Sequence, residues 1–423
     1  MSQSVRAVTG RTFRALGTRN YRLFFAGQTV SVTGTWLQST AQAWLILQLT
    51  HSPLMLGLLV TVQFLPVTVA GLAGGVIADR FPRRRLLIGT QSAFALAAAV
   101  LAGLTWAGVT QPAEVFLVVF VFGAINVVDG PARQAFVTEL VGPAQLPNAV
   151  ALNSLVFNGA RVVGPALAGI LIALVGVPVC FGLNAVSYLA VIAGLWLVRP
   201  SELHRTRRPA GRPRGAMREL REGLAFVWHT PEIGLAIGLM AVVATLALNF
   251  SIFLPTLARS TLHAGAGGFG LLSAALGVGA LAAALGVAYL GRASWPWLLG
   301  GCAVLGGFLV AAGQAHSLAL AMLLLMGAGV GMITYTSMTN SLIQLRTPAH
   351  LRGRVMSIYL WIFLGTAPLG GLGVGAIEQV GGAPAGMALG GVAALLAAGV
   401  GAVALWRWAP ANYGRSRGGL PIA

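Results

Sequence analysis

Apolar runs of about 20 residues or more recur along the whole chain, and they restrict its possible folds more than any other feature. A helix of that length crosses the roughly 30 Å hydrocarbon core of a bilayer. Only 9% of the 423 residues are charged, whereas soluble domains carry about 25% charged residues. A water-soluble protein of this size would have too few charges to cover its surface. Because the alternating segments of a membrane β-barrel do not occur, the sequence predicts an all-α integral membrane protein.

Twelve candidate transmembrane helices fall into two sets of six. The first set covers residues 22–49, 54–78, 86–108, 113–131, 147–175 and 178–198, and the second covers 231–258, 266–290, 295–313, 317–343, 353–379 and 384–408. This predicts an N-terminal six-helix bundle at 1–198, a cytoplasmic linker with an amphipathic helix at 199–230, and a C-terminal six-helix bundle at 231–423. The segments LVGPAQL and LRTPAHL precede the fifth and eleventh spans, and their similarity favours two duplicated, pseudo-symmetric halves.

The basic residues predict the orientation in the membrane. All 27 of them are arginine. If the N-terminus is cytoplasmic, all but Arg161 and Arg259 lie on the cytoplasmic side. Positive charge marks that side of membrane proteins, so both termini are predicted to be cytoplasmic. The net charge of +18 then lies beside anionic membrane lipids, and no nucleic-acid partner is predicted because no soluble domain gathers the arginines.

The junction of the second and third spans carries a charged motif, GVIADRFPRRR, at residues 75–85. It resembles motif A of the major facilitator superfamily, with Pro82 where the family usually has glycine. The resemblance implies a latch on the cytoplasmic side, in which an acidic residue at the inner end of the fourth span completes the network. The residues assigned to this latch are Asp79, Arg80, Arg83, Arg84 and Asp129.

Three further segments narrow the resemblance. RNYRLFFAGQ at 19–28, GTWLQ at 34–38 and DGPARQAF at 129–136 are similar to the exporter branch that contains bacterial enterobactin exporters and macrolide efflux proteins. The fifth span contains GARVVGPALAG at 159–169, which resembles the antiporter motif of drug exporters. In that motif a bent helix is linked to sealing of the transport pathway. Its residues here are Gly159, Gly164, Pro165 and Gly169.

A proton-coupled exporter needs a group whose protonation changes during transport. None of the nine acidic residues is predicted near the middle of a span, and Glu378 is predicted near the outer end of the eleventh. Arg161 is well inside a span, where a charge costs about 2.5–3.5 kcal/mol on insertion scales. Either it binds an anion or takes part in coupling, or it is a structural partner for carbonyls or Asn158. Arg161 and Asp129 are the candidate coupling residues.

Polar and aromatic side chains in several spans predict a central cavity. The tenth span is especially polar, with TYTSMTN at 334–340, and hydroxyls and amides are costly against lipid. Aromatic walls with scattered amides suit amphipathic ligands. The predicted lining residues are Trp36, Gln38, Gln42, Asn126, Asn249, Phe250, Tyr335, Thr339, Asn340 and Trp361.

The sequence contains no catalytic, phosphate-binding or metal-binding motif, so we predict no enzymatic activity, no cofactor and no metal. The resemblance implies a monomeric secondary active transporter of the bacterial inner membrane. It would export small amphipathic molecules, such as drugs or siderophores, in exchange for protons by alternating access. A lipid or lysolipid flippase and a facilitator-type importer are alternatives of the same fold. A membrane sensor or scaffold without transport is an alternative of a different class.

Overall fold

The computed structural model describes residues 14–204, 216–290 and 292–413, and this part of the chain is helical, without strands. A helix satisfies its backbone polar groups internally, as hydrocarbon requires. The first helices are α1 (Arg19–Thr50), α2 (Pro53–Arg80), α3 (Arg83–Trp106), the long helix Pro112–Val175, α6 (Val177–Leu197) and α7 (Ala216–His229). The prediction of an all-α membrane protein is confirmed.

The later helices are also apolar and follow one another through short turns. By length and hydropathy, nine helical segments within the described ranges are suited to cross a membrane. The later helices are α8 (Pro231–Leu246), α9 (Phe250–Thr256), a π-helical turn (Leu257–Thr261), α10 (Gly265–Leu290), α11 (Trp295–Gly313), α12 (Leu318–Arg346), α13 (Ala349–Gly365) and the long helix Ala367–Tyr413.

Two glycines with positive φ divide the two longest helices. Gly142, at φ 70° and ψ 171°, separates α4 (112–141) from α5 (143–175). Gly382, at φ 69° and ψ −177°, separates α14 (367–381) from α15 (383–413). Only glycine adopts this backbone conformation at little cost. Each long helix is therefore two helices joined by a turn of one residue.

The predicted end of the fourth span near residue 131 is wrong. Pro131 lies inside the helix, which continues to Gly142. A proline tolerates this position when neighbouring helices compensate for the missing backbone hydrogen bond. The extra ten residues add about 15 Å to α4, and they carry Glu139 to the same end of the molecule as Arg83.

Helices α1–α6 form what we call the first group, and glycines allow its helices to approach closely. A Cβ atom on Gly27 of α1 would lie 2.7 Å from the carbonyl oxygen of Ala190 on α6. A Cβ atom on Gly164 of α5 would lie 2.5 Å from Cβ of Trp36 on α1. Small residues bring membrane helices together in this way because lipid provides no hydrophobic drive between them.

Helices α8–α15 form the second group and pack by the same principle. A Cβ atom on Gly306 of α11 would lie 2.6 Å from the carbonyl oxygen of Gly391 on α15. The Cys302 thiol on α11 also donates to the carbonyl oxygen of Ala394 at 3.2 Å. In the segment between the groups, α7 packs its Gly223 against Arg354 of α13. The predicted arginine- and proline-rich segment at 205–214 lies outside the described residues.

The two groups meet mainly toward one end of the molecule. We call it the His51 end, after the turn between α1 and α2, and the opposite end the Arg83 end, after the turn between α2 and α3. Close contacts join α2 to α14 and α5 to α10. A Cβ atom on Gly371 would lie 2.8 Å from the carbonyl oxygen of Gly57, and one on Gly270 would lie 2.6 Å from Cα of Gly169.

Hydrogen bonds reinforce this contact between the groups. They join α1–α2 to the π-helical turn, α13 and α14, and they all lie between the His51 end and the middle of the helices. The pairs are Ser52 Oγ to Gln379 Oε1 at 2.7 Å, Thr61 Oγ1 to the Pro368 oxygen at 3.0 Å, Arg259 Nη1 to the Leu47 oxygen at 2.5 Å, and Trp361 Nε1 to the Thr68 oxygen at 3.4 Å.

The contact between α1 and α6 should not tolerate a methyl group at residue 27. Gly27→Ala would place Cβ against the α6 backbone, and overpacking of this kind costs about 1–3 kcal/mol. Gly182→Ala on α6 is the matched control, because nothing lies within 4 Å of its Cβ position. In thermal unfolding of the purified protein in one detergent, only Gly27→Ala should lower the midpoint. Equal midpoints for both variants would contradict this packing.

Candidate functional site

A charged network lies at the Arg83 end, within the first group. Arg83 Nη1 donates to Glu139 Oε1 at 2.7 Å, and its Nη2 donates to Asp79 Oδ1 at 3.3 Å. Arg84 donates to the carbonyl oxygens of Leu195 at 2.7 Å and Trp196 at 3.1 Å, at the end of α6. Arg83 and Arg84 therefore tie the α2–α3 turn to the ends of α4 and α6.

Asp129 does not complete the Arg83 network, contrary to the prediction. Its carboxylate is fully buried and accepts from Thr90 Oγ1 at 2.7 Å and Gln91 Nε2 at 2.9 Å. It also forms an ion pair with Arg133 on the next turn of α4. Because α4 extends past Pro131, Glu139 is the acidic side chain of this helix that reaches Arg83.

The remaining latch candidate, Arg80, ends α2 with an exposed side chain. Arg83 and Arg84 differ from it, since each donates to an acceptor on another helix of the first group. Of the predicted latch, the structure thus brings Asp79 and Arg83 together, and it places Asp129 in a second, buried cluster.

The glycines of the predicted antiporter motif serve different contacts. Gly164 faces α1, whereas Gly169 faces Gly270 on α10. Pro165 is buried, and a Cβ atom on Gly270 would lie 2.9 Å from its carbonyl oxygen. Nothing lies within 4 Å of a Cβ position on Gly159. The part of the motif from Gly164 to Gly169 therefore packs α5 against α1 of the first group and against α10 of the second group.

Arg161 bridges the two groups without an acidic partner among the described residues. Its guanidinium carbon lies 5.7 Å from the centroid of the Trp36 ring, which is a cation–π contact. Its Nη2 lies 3.2 Å from Sδ of Met332 on α12. The predicted partner Asn158 instead donates to the Ser154 carbonyl oxygen at 2.8 Å.

Five of the predicted lining residues are buried inside a helix group. Gln38 accepts from Asn184 Nδ2 at 2.7 Å, and Asn249 donates to the Thr245 carbonyl oxygen at 2.7 Å. Thr339 donates to the carbonyl oxygen of Tyr335 at 2.8 Å. The bond of Gln38 joins α1 to α6, whereas each of the other two bonds runs to the carbonyl oxygen four residues earlier in the chain. The five residues are Gln38, Asn249, Phe250, Tyr335 and Thr339.

The other lining candidates have exposed or half-exposed side chains, except Gln42. Trp36 packs edge-to-face on Phe157 with the ring centroids 5.7 Å apart, beneath Arg161. Asn340 accepts from Gln344 at 2.5 Å on the same helix. The exception is Gln42, which is buried and whose Nε2 has no hydrogen-bond acceptor within the described chain. The residues with exposed or half-exposed side chains are Trp36, Asn126, Asn340 and Trp361.

Sequence reasoning missed several residues that the structure places in these contacts. Glu139 had a detectable signal, because Gly142 and Pro143 mark a helix end three residues beyond it. Met332 and Gln379 had none, since a single methionine or glutamine in an apolar run has no distinctive pattern. The described residues also contain no group of three or more His, Cys, Asp or Glu side chains suited to hold a metal ion.

Solved structures with the same fold are transporters. A bacterial homologue of the human lysosomal transporter Spinster, in an inward-facing and occupied conformation, superposes with a TM-score of 0.70. The superposition covers 92% of this chain and 97% of that one, at 15% sequence identity. A likeness at this level of identity concerns the fold alone.

Curated relatives are named as exporters and transporters. The multidrug efflux pump Tap of Mycobacterium tuberculosis is 28% identical over 378 residues, which cover 84% of this chain and 85% of Tap. The enterobactin exporter EntS of Citrobacter koseri is 27% identical over 378 residues, with the same coverage. The staphyloferrin A transporter of Staphylococcus aureus is 28% identical over 172 residues, which are 40% of this chain and only 43% of that protein.

A family described as transmembrane secretion effectors matches residues 11–412, which is nearly the whole chain. The match includes both helix groups, the Arg83 network and the Arg161 contact. The resemblance to the major facilitator superfamily is thereby confirmed, and the homologues and fold neighbours are transporters, not enzymes. The chain belongs to the transmembrane secretion effector family of the major facilitator superfamily.

Proposed function

We propose that this protein exports small amphipathic molecules, drugs or siderophores, in exchange for protons by alternating access. The observation that carries the proposal is the contact between the groups, which lies between the His51 end and the middle of the helices. Two rigid groups that meet at one end are suited to rock about the middle and open the ends in turn. The names of Tap and EntS support export and the two substrate classes.

The proposed topology has twelve membrane spans with both termini in the cytoplasm. Dividing the two longest segments at Gly142 and Gly382 turns the nine apolar segments into eleven. We count α1, which has 32 residues and a more polar composition, as the twelfth. The arginine distribution supports a cytoplasmic Arg83 end. Residues 1–198 and 231–423 are then two bundles joined by the linker 199–230, in a monomer of the bacterial inner membrane.

The proposed latch acts at the Arg83 end. In this conformation Arg83 is held by Glu139 and Asp79 of the first group. We propose that the network contacts the second group when the Arg83 end closes, and that Asp129 and Arg133 hold α3 and α4 in register beneath it. If the interaction energy of these charge pairs differs between the two conformations, that difference shifts the equilibrium between the conformations.

The proposed substrate contact is the Trp36–Arg161 pair. An indole ring beside a guanidinium offers an apolar face and a positive charge, which suits an amphipathic molecule with an anionic or polar group. Asn126, Asn340 and Trp361, which are exposed or half-exposed, complete the proposed lining. Arg161 also contacts Met332 of the other group, so a ligand there would touch both groups.

A lipid or lysolipid flippase and a facilitator-type importer remain alternatives of the same fold. A flippase requires passage of a headgroup between helices, and it transports lipid in vesicles without soluble substrate. A facilitator transports without an ion gradient. A sensor or scaffold gives no flux in either assay. The substrate and energy dependence of transport therefore discriminate between these functions.

Proton-driven export should be measurable in inside-out membrane vesicles. Vesicles with the protein should accumulate a dye or siderophore when respiration or ATP hydrolysis acidifies the lumen, and a protonophore should abolish the accumulation. Vesicles from a host without the protein are the control. Accumulation that persists after the protonophore would contradict proton coupling and favour a facilitator.

Loss of the Arg83 network should slow the transport cycle. Arg83→Gln removes both ion pairs, and we expect about a tenfold lower efflux rate from a shifted equilibrium between the two conformations. Arg85→Gln is the matched control, because this neighbouring arginine is exposed. Glu139→Gln should resemble Arg83→Gln. If Arg85→Gln and Arg83→Gln are equally active, the latch does not operate.

Arg161→Gln should weaken the proposed substrate contact. Removing the guanidinium from Trp36 and Met332 should reduce the apparent affinity for an anionic substrate roughly tenfold, with an unchanged thermal unfolding midpoint. Arg161→Lys keeps the charge and should retain part of the affinity. Unchanged concentration and proton dependence in Arg161→Gln would rule out a transport role for this residue.

A further inference from the structure

Glu378 is a buried carboxyl group that the proposed latch and substrate contact do not use. It lies on α14, one turn before the break at Gly382, and its residue is only 2% exposed. Neither carboxyl oxygen has a hydrogen-bond partner within the described part of the chain. A carboxylate without donors in a dry environment is strongly destabilised, whereas the neutral acid is tolerated. The burial therefore favours a protonated Glu378 in this conformation.

The surroundings of Glu378 suit a neutral carboxyl group. From α15, Gly386 faces the side chain so closely that a Cβ atom there would lie 2.6 Å from Glu378 Oε1. From α9, the Thr256 hydroxyl lies beside the carboxyl, but it donates its proton to the Ile252 carbonyl oxygen at 2.9 Å. The Thr256 oxygen is thus left as an acceptor, which a protonated carboxyl group satisfies and an ionised one does not.

The charged and titratable groups around Glu378 do not compensate a negative charge. Arg259, on the π-helical turn, donates to the Leu47 carbonyl oxygen. Cys302 of α11 donates to the Ala394 carbonyl oxygen. The exposed His51, His263 and His316 lie on the turns at this end. The described halves of α2, α8 and α9 nearest this end carry no charged residue.

The charged residues of α8, α12, α13 and α15 lie at the opposite end of the molecule, the Arg83 end. Glu232 of α8 pairs with Arg346 of α12 there, and Arg354 of α13 pairs with Glu222. Arg407 lies near the end of α15. Glu378 is thus the acidic side chain of the second group that lies on the His51 side of the described structure.

Glu378 lies one residue from the contact between α14 and α2 at the His51 end. The face of α14 that meets α2 carries Gly371, Gly375 and Gln379 at intervals of four residues. Glu378 is next to Gln379, whose side chain accepts from Ser52 Oγ across the contact. Motion that separates α14 from α2 breaks this bond, which lies one residue from Glu378.

We propose that Glu378 is a proton-binding site that is neutral while the His51 end is closed and ionises in water when that end opens. The proton passes from the carboxyl group to water on opening, and it returns from water on closing. This inference rests on the alternation of the two ends in the proposed function. The His51 end faces the outside in the proposed topology. After the substrate is released there, Glu378 takes a proton from the outer side, and this protonation favours closure of that end.

The sign of the pH dependence follows from linkage. The closed end binds the proton more tightly than the open end, so low pH favours closure, and closure is lost as pH rises. One proton changes the ratio of closed to open molecules by at most about tenfold per pH unit. A variant that cannot ionise at residue 378 should remain closed at every pH.

The test is a distance measurement across the His51 end at a series of pH values. Nitroxide labels on Val109→Cys and Gln314→Cys, both at exposed positions of opposite groups, report opening by pulsed electron resonance in lipid nanodiscs. The native Cys180 and Cys302 are buried, and protein without the new cysteines is the labelling control. We expect the long-distance population of the otherwise wild-type protein to grow as pH rises, and that of Glu378→Gln to stay small.

Glu114→Gln is the matched control, because Glu114 is a carboxylate at the same end that caps α4 through the backbone of Gln111. It should titrate as the wild type does. Glu378→Asp retains a carboxyl group and should keep a pH response with a shifted midpoint, which tests the site even if Glu378→Gln fails to fold. A pH response in Glu378→Gln equal to that of the wild type, or no response in the wild type, would overturn the proposal.

The failure of this inference is distinguishable from failure of the proposed export. If vesicles show no proton-driven efflux but the distances still follow pH through Glu378, the proton site stands and the export function is wrong. If efflux is proton-driven and Glu378→Gln has the same pH dependence as the wild type in both assays, the export function stands and the site is wrong.

Discussion

The close contact of backbone against backbone at glycine is the interaction on which the rest of this structure depends. Gly57 with Gly371 and Gly169 with Gly270 bring the two helix groups within van der Waals distance. Lipid does not drive apolar helices together, so the contact relies on dispersion and on a few hydrogen bonds. An interface of this kind is specific but contains no ion pair among the described residues. It is therefore suited to separate and form again, as a transporter requires.

Charge inside the helices is accommodated in three different ways. Asp129 is buried with a full set of partners from α3 and α4, which makes it a structural group. Arg161 is placed against a ring and a sulfur, which leaves its charge only partly compensated. Glu378 has buried oxygens without donors. The degree of compensation separates groups that hold helices together from groups that are available to respond to substrate or to protons.

The sequence predictions failed where a local signal competed with packing. The predicted fourth span ends at residue 131, but the surrounding helices tolerate Pro131, and α4 continues to Gly142. That error placed Asp129 at the end of the fourth span, where Glu139 actually meets Arg83. The buried lining candidates such as Gln38 and Thr339 failed for a related reason. A polar residue in an apolar helix faces either a cavity or a polar neighbour. Only the tertiary structure shows that Gln38 faces the side chain of Asn184 and not a cavity.

The sequence by itself determined the class of fold, since few charges and long apolar runs leave helices as the structure that satisfies the backbone in hydrocarbon. It also located the charged turn at Asp79 and Arg83, because a short-range motif does not depend on the rest of the chain. Only the tertiary structure decided which carboxylate meets Arg83, which glycines join the groups, and that Glu378 is enclosed without partners. Those facts depend on contacts between residues far apart in the chain, and helical periodicity in one segment does not specify what another segment places against it.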